Sequence, residues 1–211
     1  MSTITKRLTV DQYEQMVEHG ILPETNRFEL IRGRIVEKDV KNPAHPTATD
    51  KTRRAIERLL PAGWYVRKED PVRIPNRRSE PEPDLSVVRG AIEDYETRHP
   101  GPEDVALVVE VTRSSVAKDR ALARVYGGGG IPVYWIVNIP RRRLEVYEGP
   151  GPQQGRGRQY PAPKILREPD TVSLKIDGRE VGQIAVAELL PLATPLGRGG
   201  SGISTRATGE Q

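Results

Sequence analysis

The sequence predicts an α/β protein whose central sheet contains parallel strands, and three segments carry that prediction. Residues 105–112 (VALVVEVT) and 131–138 (IPVYWIVN) are the most apolar runs of the chain, as expected of buried strands. A helical pattern separates them, and two strands joined by a helix usually lie parallel in one sheet. Residues 142–148 (RRLEVYE) follow after a short turn, which predicts a hairpin with the second run.

The remaining elements follow in chain order. Thr9 to Gln12 form a capping box that predicts a helix over 10–19, and residues 28–37 read as two short strands about an Arg32-Gly33 turn. Residues 42–46 read as a loop that contains His45. A second helix is expected from about Thr49 to Leu60, before Pro61 and Gly63.

The second half alternates apolar runs with turn-rich stretches. Ser114-Ser115 offers an N-cap for a helix that ends at the glycine run 127–130, where a C-cap and turn is a better account than a phosphate cradle. The other segments are an extended stretch (64–74), a strand (84–88), a polar excursion with one helical turn (89–103), a flexible insertion (149–163), and a terminal strand and short helix (171–178 and 182–190).

The length of 211 residues suits a single domain, expected over residues 1–191, followed by a disordered tail over 192–211. No run of 18 apolar residues is present, so no membrane span is expected. The N-terminus lacks the apolar stretch of a signal peptide, which makes a cytoplasmic location the default prediction.

Composition also restricts the chemistry. Cysteine is absent, which excludes disulfides, thiolate catalysis and cysteine-based zinc sites. The three histidines are widely scattered, so a metal would be a hard cation such as Mg²⁺ or Mn²⁺ held by oxygen. The net charge is +4, with 25 arginines against 8 lysines. Arginine binds phosphate oxygens well, so a polyanionic partner is expected, although a compositional bias towards arginine explains the excess equally well.

Asp84 and Glu110 are the carboxylates that carry a chemical prediction. Asp84 starts one short strand, and Glu110 lies near the end of a strand otherwise filled with apolar residues. A lone buried carboxylate is costly unless it is paired or bound to a cation. If the strands are neighbours, the two acids converge and can hold a divalent metal, with the backbone carbonyl of Val111 as a third oxygen. Hydrolysis of a phosphodiester by a metal-bound water needs this arrangement.

Five motifs in order resemble the core of the Uma-type family of putative restriction endonucleases, within the PD-(D/E)XK nuclease superfamily. They are FELIRGRIV, PEPDLSVV, VVEVTRSS, a helix ending in Tyr126, and GIPVYWIVN, which together span about residues 8–148. The resemblance implies a mixed central sheet flanked by helices and Mg²⁺-dependent hydrolysis of DNA. It also implies that Asp84 and Glu110 bind the metal, that Glu29 matches an acid of the first motif, and that Glu82 is an additional acid beside the site.

The family's lysine is where the sequence departs from the pattern. No lysine lies two residues after Glu110, and the position four residues before Tyr126, where the family carries it, is Leu122. Lys118 lies one turn earlier on the same helix face, and we expect it to replace the missing cation. The alternative is a catalytically impaired descendant that binds nucleic acid or protein.

Several further features have both a functional and a non-functional interpretation. Glu29 is either part of the site or a surface acid paired with Arg32 or Arg34. The basic face of the second helix (Lys51, Arg54, Arg58) is more often solvated than bound to phosphate. His45 is expected to be incidental. Cutting two strands suits two active sites, so a homodimer is a further expectation.

Overall fold

The computed structural model of the chain describes residues 6–22, 28–38, 43–113, 116–152 and 157–192. The helices are α1 (Val10–Glu18), α2 (Ala44–Glu57), α3 (Val116–Gly129) and α4 (Val186–Leu189), with short 3-10 helices at Pro75–Arg77 and Ile92–Tyr95. The strands are β1 (Phe28–Ile31), β2 (Arg34–Glu37), β3 (Trp64–Lys68), β4 (Leu85–Arg89), β5 (Val105–Thr112), β6 (Val133–Asn138), β7 (Arg143–Glu148), β8 (Lys164–Arg167), β9 (Thr171–Ile176) and β10 (Arg179–Ala185). Within these ranges no helix combines the length and apolar content that a membrane crossing requires.

Strands β3 to β8 form one six-stranded sheet whose spatial order follows the chain order. β5 and β6 run parallel, with Val109 opposite Trp135, and every other neighbouring pair is antiparallel. The sheet is therefore mixed, which confirms the predicted parallel pair around the crossover helix and the predicted hairpin of β6 and β7. Two smaller hairpins, β1–β2 and β9–β10, lie outside this sheet.

The two faces of the sheet bury two different apolar clusters because side chains alternate along each strand. Leu107 and Val109 of β5 pack on the face covered by α2, α4 and the β9–β10 hairpin. Val108 packs on the opposite face, which is covered by α3. Both faces are covered, so β5 reads as a continuous apolar run rather than an alternating one.

Helix α1 and the hairpin after it match the sequence prediction closely. The amide of Gln12 donates to Oγ1 of Thr9 at 3.2 Å, and the amide of Thr9 donates to Oε1 of Gln12 at 3.0 Å. This reciprocal capping box satisfies two amides that the first turn would leave unpaired. The predicted strands about the Arg32-Gly33 turn are β1 and β2.

Helix α2 begins earlier than predicted. It starts at Ala44 rather than near Thr49, and it therefore includes His45 and Pro46, which the sequence analysis assigned to a loop. Proline is tolerated in the first helical turn because the amides of that turn have no intrahelical acceptor. Residues 44–46 are thus the start of a helix and not part of a loop, and Asn42 lies outside the described residues.

Helix α3 ends within the glycine run 127–130, as predicted, but the first three glycines of the run belong to the helix and only Gly130 makes the turn. The helix continues to Gly129, and the turn is made at Gly130 with a φ of +100°. A methyl group added at Gly127 would contact the ring of Tyr160, and one added at Gly128 would overlap the guanidinium of Arg77. Close approach of these side chains explains glycine in a helix that it would otherwise weaken.

The segment predicted as a flexible insertion, 149–163, is anchored in its second part. The hydroxyl of Tyr160 donates to the backbone oxygen of Ile131 at 2.7 Å, and its ring stacks beside Tyr147. Strand β8 follows and adds an edge to the sheet that the sequence analysis did not predict.

The C-terminal part contains one strand more than predicted. Residues 179–185 form β10, which pairs with β9 before the four-residue helix α4. The predicted Ser114-Ser115 N-cap and the tail after Leu192 lie outside the described residues.

Glu145 provides the first test of the fold. This fully buried acid of β7 accepts two hydrogen bonds of 2.8 Å from Arg120 and one of 2.7 Å from Arg143. Burial alone would raise the pKa of Glu145, but the two guanidinium groups outweigh it and hold the pKa below its usual value. Glu145→Gln should lower the free energy of unfolding by about 1–3 kcal/mol at neutral pH, measured by denaturant titration.

The same pairs set a pH dependence. Because the folded-state pKa is lowered, their stabilisation is present above the ordinary glutamate pKa and is lost as pH falls through the folded value. The difference between wild type and Glu145→Gln should therefore shrink in acid. Glu57→Gln, which breaks the exposed pair with Arg53, is the control and should cost less than about 1 kcal/mol. Equal losses in the two variants would contradict this account.

Glu80 provides a second test with the opposite sign. It is buried where the chain pairs with Leu30 of β1, and burial together with the neighbouring Glu14 raises its pKa to about 8. The folded protein therefore retains a proton that the unfolded chain releases near pH 4.5. Stability from this group is complete below that pH and is lost as pH rises through about 8.

Glu80→Gln, which mimics the neutral acid, should remove this dependence. Between pH 5 and pH 9 the free energy of unfolding of wild type should fall, relative to that of the variant, by an amount on the order of 2–4 kcal/mol. The exposed Glu18→Gln on α1 is the control and should track wild type at every pH. Parallel pH profiles for wild type and Glu80→Gln would show that Glu80 is ionised when folded.

Candidate active site

Asp84 lies immediately before β4, where that strand meets β5, and it is buried. Its Oδ2 accepts a hydrogen bond of 2.8 Å from the amide of Val111. The β4–β5 register pairs Leu85 with Val109, and one further step puts Asp84 opposite Glu110. Residues opposite each other in an antiparallel pair project to the same face, so the two acids are neighbours.

Glu110 occupies the α3 side of β5, among otherwise apolar neighbours. Its Oε1 accepts a hydrogen bond of 2.9 Å from the hydroxyl of Tyr126, which α3 buries completely. Burial raises the pKa of Glu110 well above the usual glutamate range, and the negative charges of Asp84, Asp119 and Glu29 add to the rise. The apolar run therefore carries an acid whose charge is strongly disfavoured without a cation.

Glu29 belongs to this cluster and is buried on β1. One carboxylate oxygen, Oε2, accepts a hydrogen bond of 3.4 Å from the amide of Glu82, and the other, Oε1, lies 3.6 Å from Nζ of Lys118. Burial raises the pKa of Glu29, while the ammonium of Lys118 opposes the rise. Glu29 is thus a buried acid whose described ion pair is with Lys118, and it is not a surface acid paired with Arg32 or Arg34.

Lys118, Leu122 and Tyr126 follow one another along one side of α3, four residues apart. Leu122 is only 5% exposed and packs in the apolar cluster on the α3 face of the sheet. Lys118 projects from the first turn to Glu29 and is partly exposed. The cation therefore enters the cluster from the start of α3, about one turn from the position that Leu122 occupies.

Glu82 is held by a cation that the sequence analysis did not single out. Nζ of Lys38 donates to Oε2 of Glu82 at 2.6 Å, and both side chains are largely buried. Lys38 follows β2, so the β1–β2 hairpin brings both Glu29 and Lys38 to the cluster. A lysine just after a short predicted strand carries no signal that distinguishes it from a surface residue.

Asp119 is a second residue that the sequence analysis missed. Burial raises its pKa to about 6; a hydrogen bond from Thr112 opposes the rise, and the charge of Asp84 adds to it. The charges of Lys118 and His45 lower the pKa of Asp119, as expected for side chains of the same cluster. The signal was available, because Asp119 lies next to the predicted cation on the first turn of a helix that follows the Glu110 strand.

His45 is a third residue of the cluster that the sequence analysis did not include. Its Nε2 lies 3.0 Å from Oδ2 of Asp84, although the residue was expected to be incidental. The position results from the early start of α2, which carries the imidazole to the end of β4. Thr49, one turn later, donates to the backbone oxygen of His45 and lies 3.4 Å from Nδ1 of its ring.

Five carboxylates therefore surround two lysines and one histidine at the ends of β4 and β5. In the part of the chain that the structure describes, no three acidic, histidine or cysteine side chains converge into a ready-made ligand set. Mg²⁺ commonly binds through one or two carboxylates together with water and substrate phosphate, so two converging acids suffice for it. The excess of buried negative charge suits such a cation.

Comparisons with known proteins place this arrangement in a family. None of the curated proteins matches the chain. Its fold is similar to that of a solved structure described as a putative nuclease belonging to DUF820 from Anabaena variabilis, with a TM-score of 0.62 and 17% identity over 86% of this chain and 97% of the other. The Uma2 family model, described as "Putative restriction endonuclease", matches residues 10–185. This match spans well over half of the sequence, and the chain therefore belongs to the Uma2 family.

Proposed function

We propose that the protein is a metal-dependent endonuclease that hydrolyses phosphodiester bonds of DNA. The family description and the described nuclease with the similar fold support the reaction class. The observation that carries the proposal is the convergence of Asp84 and Glu110, with Lys118 reaching the same cluster through Glu29. A purely structural site would not collect five buried or partly buried acids, because each one destabilises the folded state unless a cation compensates it.

Asp84 and Glu110 would hold Mg²⁺ or Mn²⁺, with a third oxygen from Val111. The amide of Val111 points at Asp84, and the amide and carbonyl of one strand residue point to the same neighbouring strand. The carbonyl oxygen of Val111 therefore also faces the acids. When bound, the cation would lower the pKa of a coordinated water and neutralise charge on the phosphate.

The remaining residues orient these groups and the substrate. Tyr126 fixes one oxygen of Glu110, and His45 and the Val111 amide fix one oxygen of Asp84. Lys118 would hold the attacking water and stabilise negative charge on the phosphate as the bond to the leaving sugar oxygen breaks. Glu29 would direct the Lys118 ammonium, and Glu82 would remain an auxiliary acid paired with Lys38.

A second candidate function is binding without catalysis, and Leu122 favours it. The family's lysine position is apolar and buried in this chain, so no cation occupies it. If Lys118 does not substitute, the scaffold retains a metal and nucleic-acid site with little hydrolytic activity. Two tests separate the endonuclease from the non-catalytic binding protein.

The first test removes the acids. Asp84→Asn and Glu110→Gln should each lower Mn²⁺-dependent nicking of a supercoiled plasmid by about 10³-fold, since the metal contributes several kcal/mol to transition-state stabilisation. Wild-type nicking should stop in EDTA. Glu93→Gln, in the exposed 3-10 helix, is the matched control and should retain full activity.

Calorimetric titration with Mn²⁺ gives this test a readout that does not depend on activity. Both acid variants should bind the metal much more weakly than the Glu93→Gln control. Unchanged Mn²⁺ affinity in both variants would show that the metal site is assigned to the wrong residues. Salt-sensitive DNA binding by wild type without nicking would support the non-catalytic candidate.

The second test concerns the lysine. Lys118→Gln should reduce nicking by about 10²-fold while the affinity for Mn²⁺ stays unchanged, because the ammonium acts on water and phosphate rather than on the metal. Lys51→Gln, on α2 across the sheet, is the control and should behave as wild type. Full activity of Lys118→Gln would remove Lys118 from the mechanism.

A homodimer also belongs to the proposal, because two active sites suit the cutting of two strands. Sedimentation of the protein with and without DNA measures it directly. A monomer under both conditions, together with single-strand nicks as the only product, would contradict the dimer.

A further inference from the structure

A pocket lined by arginines lies beside the acidic cluster and takes no part in the proposed chemistry. It has a volume of about 420 Å³ and lies between the β1–β2 turn, the 3-10 helix at Pro75–Arg77 and α3. The lining side chains include Arg32, Asn76, Arg77, Arg78, Arg124 and Gln159. Four guanidinium groups and two neutral side-chain amides make this a strongly basic concavity, and none of its described lining residues is acidic.

The backbone holds two of these arginines in unusual conformations. Arg32 has a φ of +53° and Arg78 a φ of +47°, both in the left-handed region that non-glycine residues seldom adopt. The amide of Gly33 donates to the backbone oxygen of Arg78 at 2.7 Å, and the amide of Arg32 donates to Oγ of Ser79 at 2.8 Å. These bonds join the two turns, so the backbones of Arg32 and Arg78 lie side by side and both residues line the pocket.

Arg77 also lines the pocket, and its side chain occupies space that two glycines leave open. Its guanidinium lies against Gly128 of α3 and Gly157, and a methyl group at either position would collide with it. It also donates to the backbone oxygen of Arg124 at 3.4 Å. Two glycines that make room for one arginine indicate a built site rather than a chance cluster.

Three of the four arginines of the pocket have no ion pair with a described residue. No described carboxylate pairs with the side chains of Arg32, Arg78 or Arg124, and all three residues are exposed. Elsewhere on the surface, arginines pair with acids, as in the following contacts: Arg58–Glu188, Arg98–Asp104 and Arg142–Glu168. Like charges gathered without acids raise the local affinity for anions, and arginine forks match phosphate oxygens.

Two elements lead from the acidic cluster to this pocket. On β1 the chain runs from Glu29 to Arg32, which is about 10 Å of extended backbone. On α3 it runs from Lys118 to Arg124, which is about 9 Å of helix. Phosphates of one DNA strand are spaced at about 3.4 Å of duplex axis, so this separation corresponds to a few nucleotides.

We propose that this arginine pocket, formed by Arg32, Arg77, Arg78 and Arg124, binds a backbone phosphate of the DNA strand a few nucleotides from the bond that is cut. The inference rests on the proposed nuclease function for its ligand. Its own evidence is that Arg32, Arg78 and Arg124 have no described ion pair, that two glycines make room for Arg77, and that two elements connect the pocket to the acidic cluster. Phosphate contact here would set the register of the strand without reading bases.

The first experiment measures DNA binding by fluorescence anisotropy in EDTA, where cleavage cannot occur. Arg78→Gln and Arg124→Gln should each weaken binding of a fluorescein-labelled duplex by roughly tenfold and should reduce the slope of log affinity against log salt by about one. Arg54→Gln is the matched control, since it removes an exposed helical arginine from α2 on the other face of the sheet. An equal loss in the control would mean general electrostatic attraction and would overturn the pocket.

A second variant displaces the guanidinium of Arg77 without changing the net charge of the protein. Gly128→Ala should displace the guanidinium of Arg77, and alanine should leave the helix at least as stable as glycine does. We expect DNA affinity to fall several-fold at an unchanged or higher thermal midpoint. Wild-type affinity in Gly128→Ala, together with wild-type affinity in the two arginine variants, would overturn the proposal.

Free phosphate is the other source of the same chemistry, and calorimetry with inorganic phosphate tests it. Submillimolar phosphate binding that Arg78→Gln abolishes, with unchanged DNA affinity, would overturn the DNA assignment. These experiments distinguish failure of the arginine pocket from failure of the nuclease proposal. Loss of DNA binding in the arginine variants supports the pocket even if wild type does not cut, whereas metal-dependent cutting with unaffected binding in these variants removes the pocket alone.

Discussion

The hydrogen bond from the amide of Val111 to the carboxylate of Asp84 fixes the geometry on which the candidate site depends. The segment before β4 contains Pro81 and Pro83, which have no amide to donate to a neighbouring strand. The side chain of Asp84 takes up the β5 amide at the point where the regular ladder of β4 begins. A charge-assisted bond of this kind is shorter and stronger than a neutral one, so it holds the end of β4 against β5 and sets Asp84 beside Glu110.

The clustered carboxylates of the site lower the stability of the folded protein, and the rest of the fold has to compensate for this. Burial and mutual repulsion raise the pKa of Glu29, Glu110 and Asp119, which means that the fold holds these carboxylates together against their electrostatic preference. The two hydrophobic faces of the sheet supply the stability that the site gives up. Natural proteins commonly depart from rules of stability where they act on a substrate, and here the departure is concentrated at the ends of two neighbouring strands.

The sequence predicted the sheet better than the site. Strands 105–112 and 131–138 were clear because an apolar run of that length has few alternatives, and the capping box fixed α1 without tertiary information. Asp84 and Glu110 were recognisable because both acids stand out against apolar neighbours. His45, Lys38 and Asp119 were not, since their part in the cluster depends on tertiary packing. The glycines of α3 and the strand β10 were misread for the same reason, because only contacts with Tyr160, Arg77 and β9 distinguish them from turns.

The sequential strand order of the main sheet has a consequence for how the protein folds. Each strand from β3 to β8 pairs with its neighbour in the chain, so every pairing of the sheet closes a local connection; the shortest is the turn between β6 and β7 and the longest is the crossover through α3. Local connections close at a low entropic cost and favour rapid folding. Glu29 and Lys38 arrive differently, on a hairpin separated from Glu80 and Glu82 by more than forty residues. We therefore expect the sheet with Asp84 and Glu110 to assemble first, and the docking of β1 and β2 to be the late step that completes the candidate site.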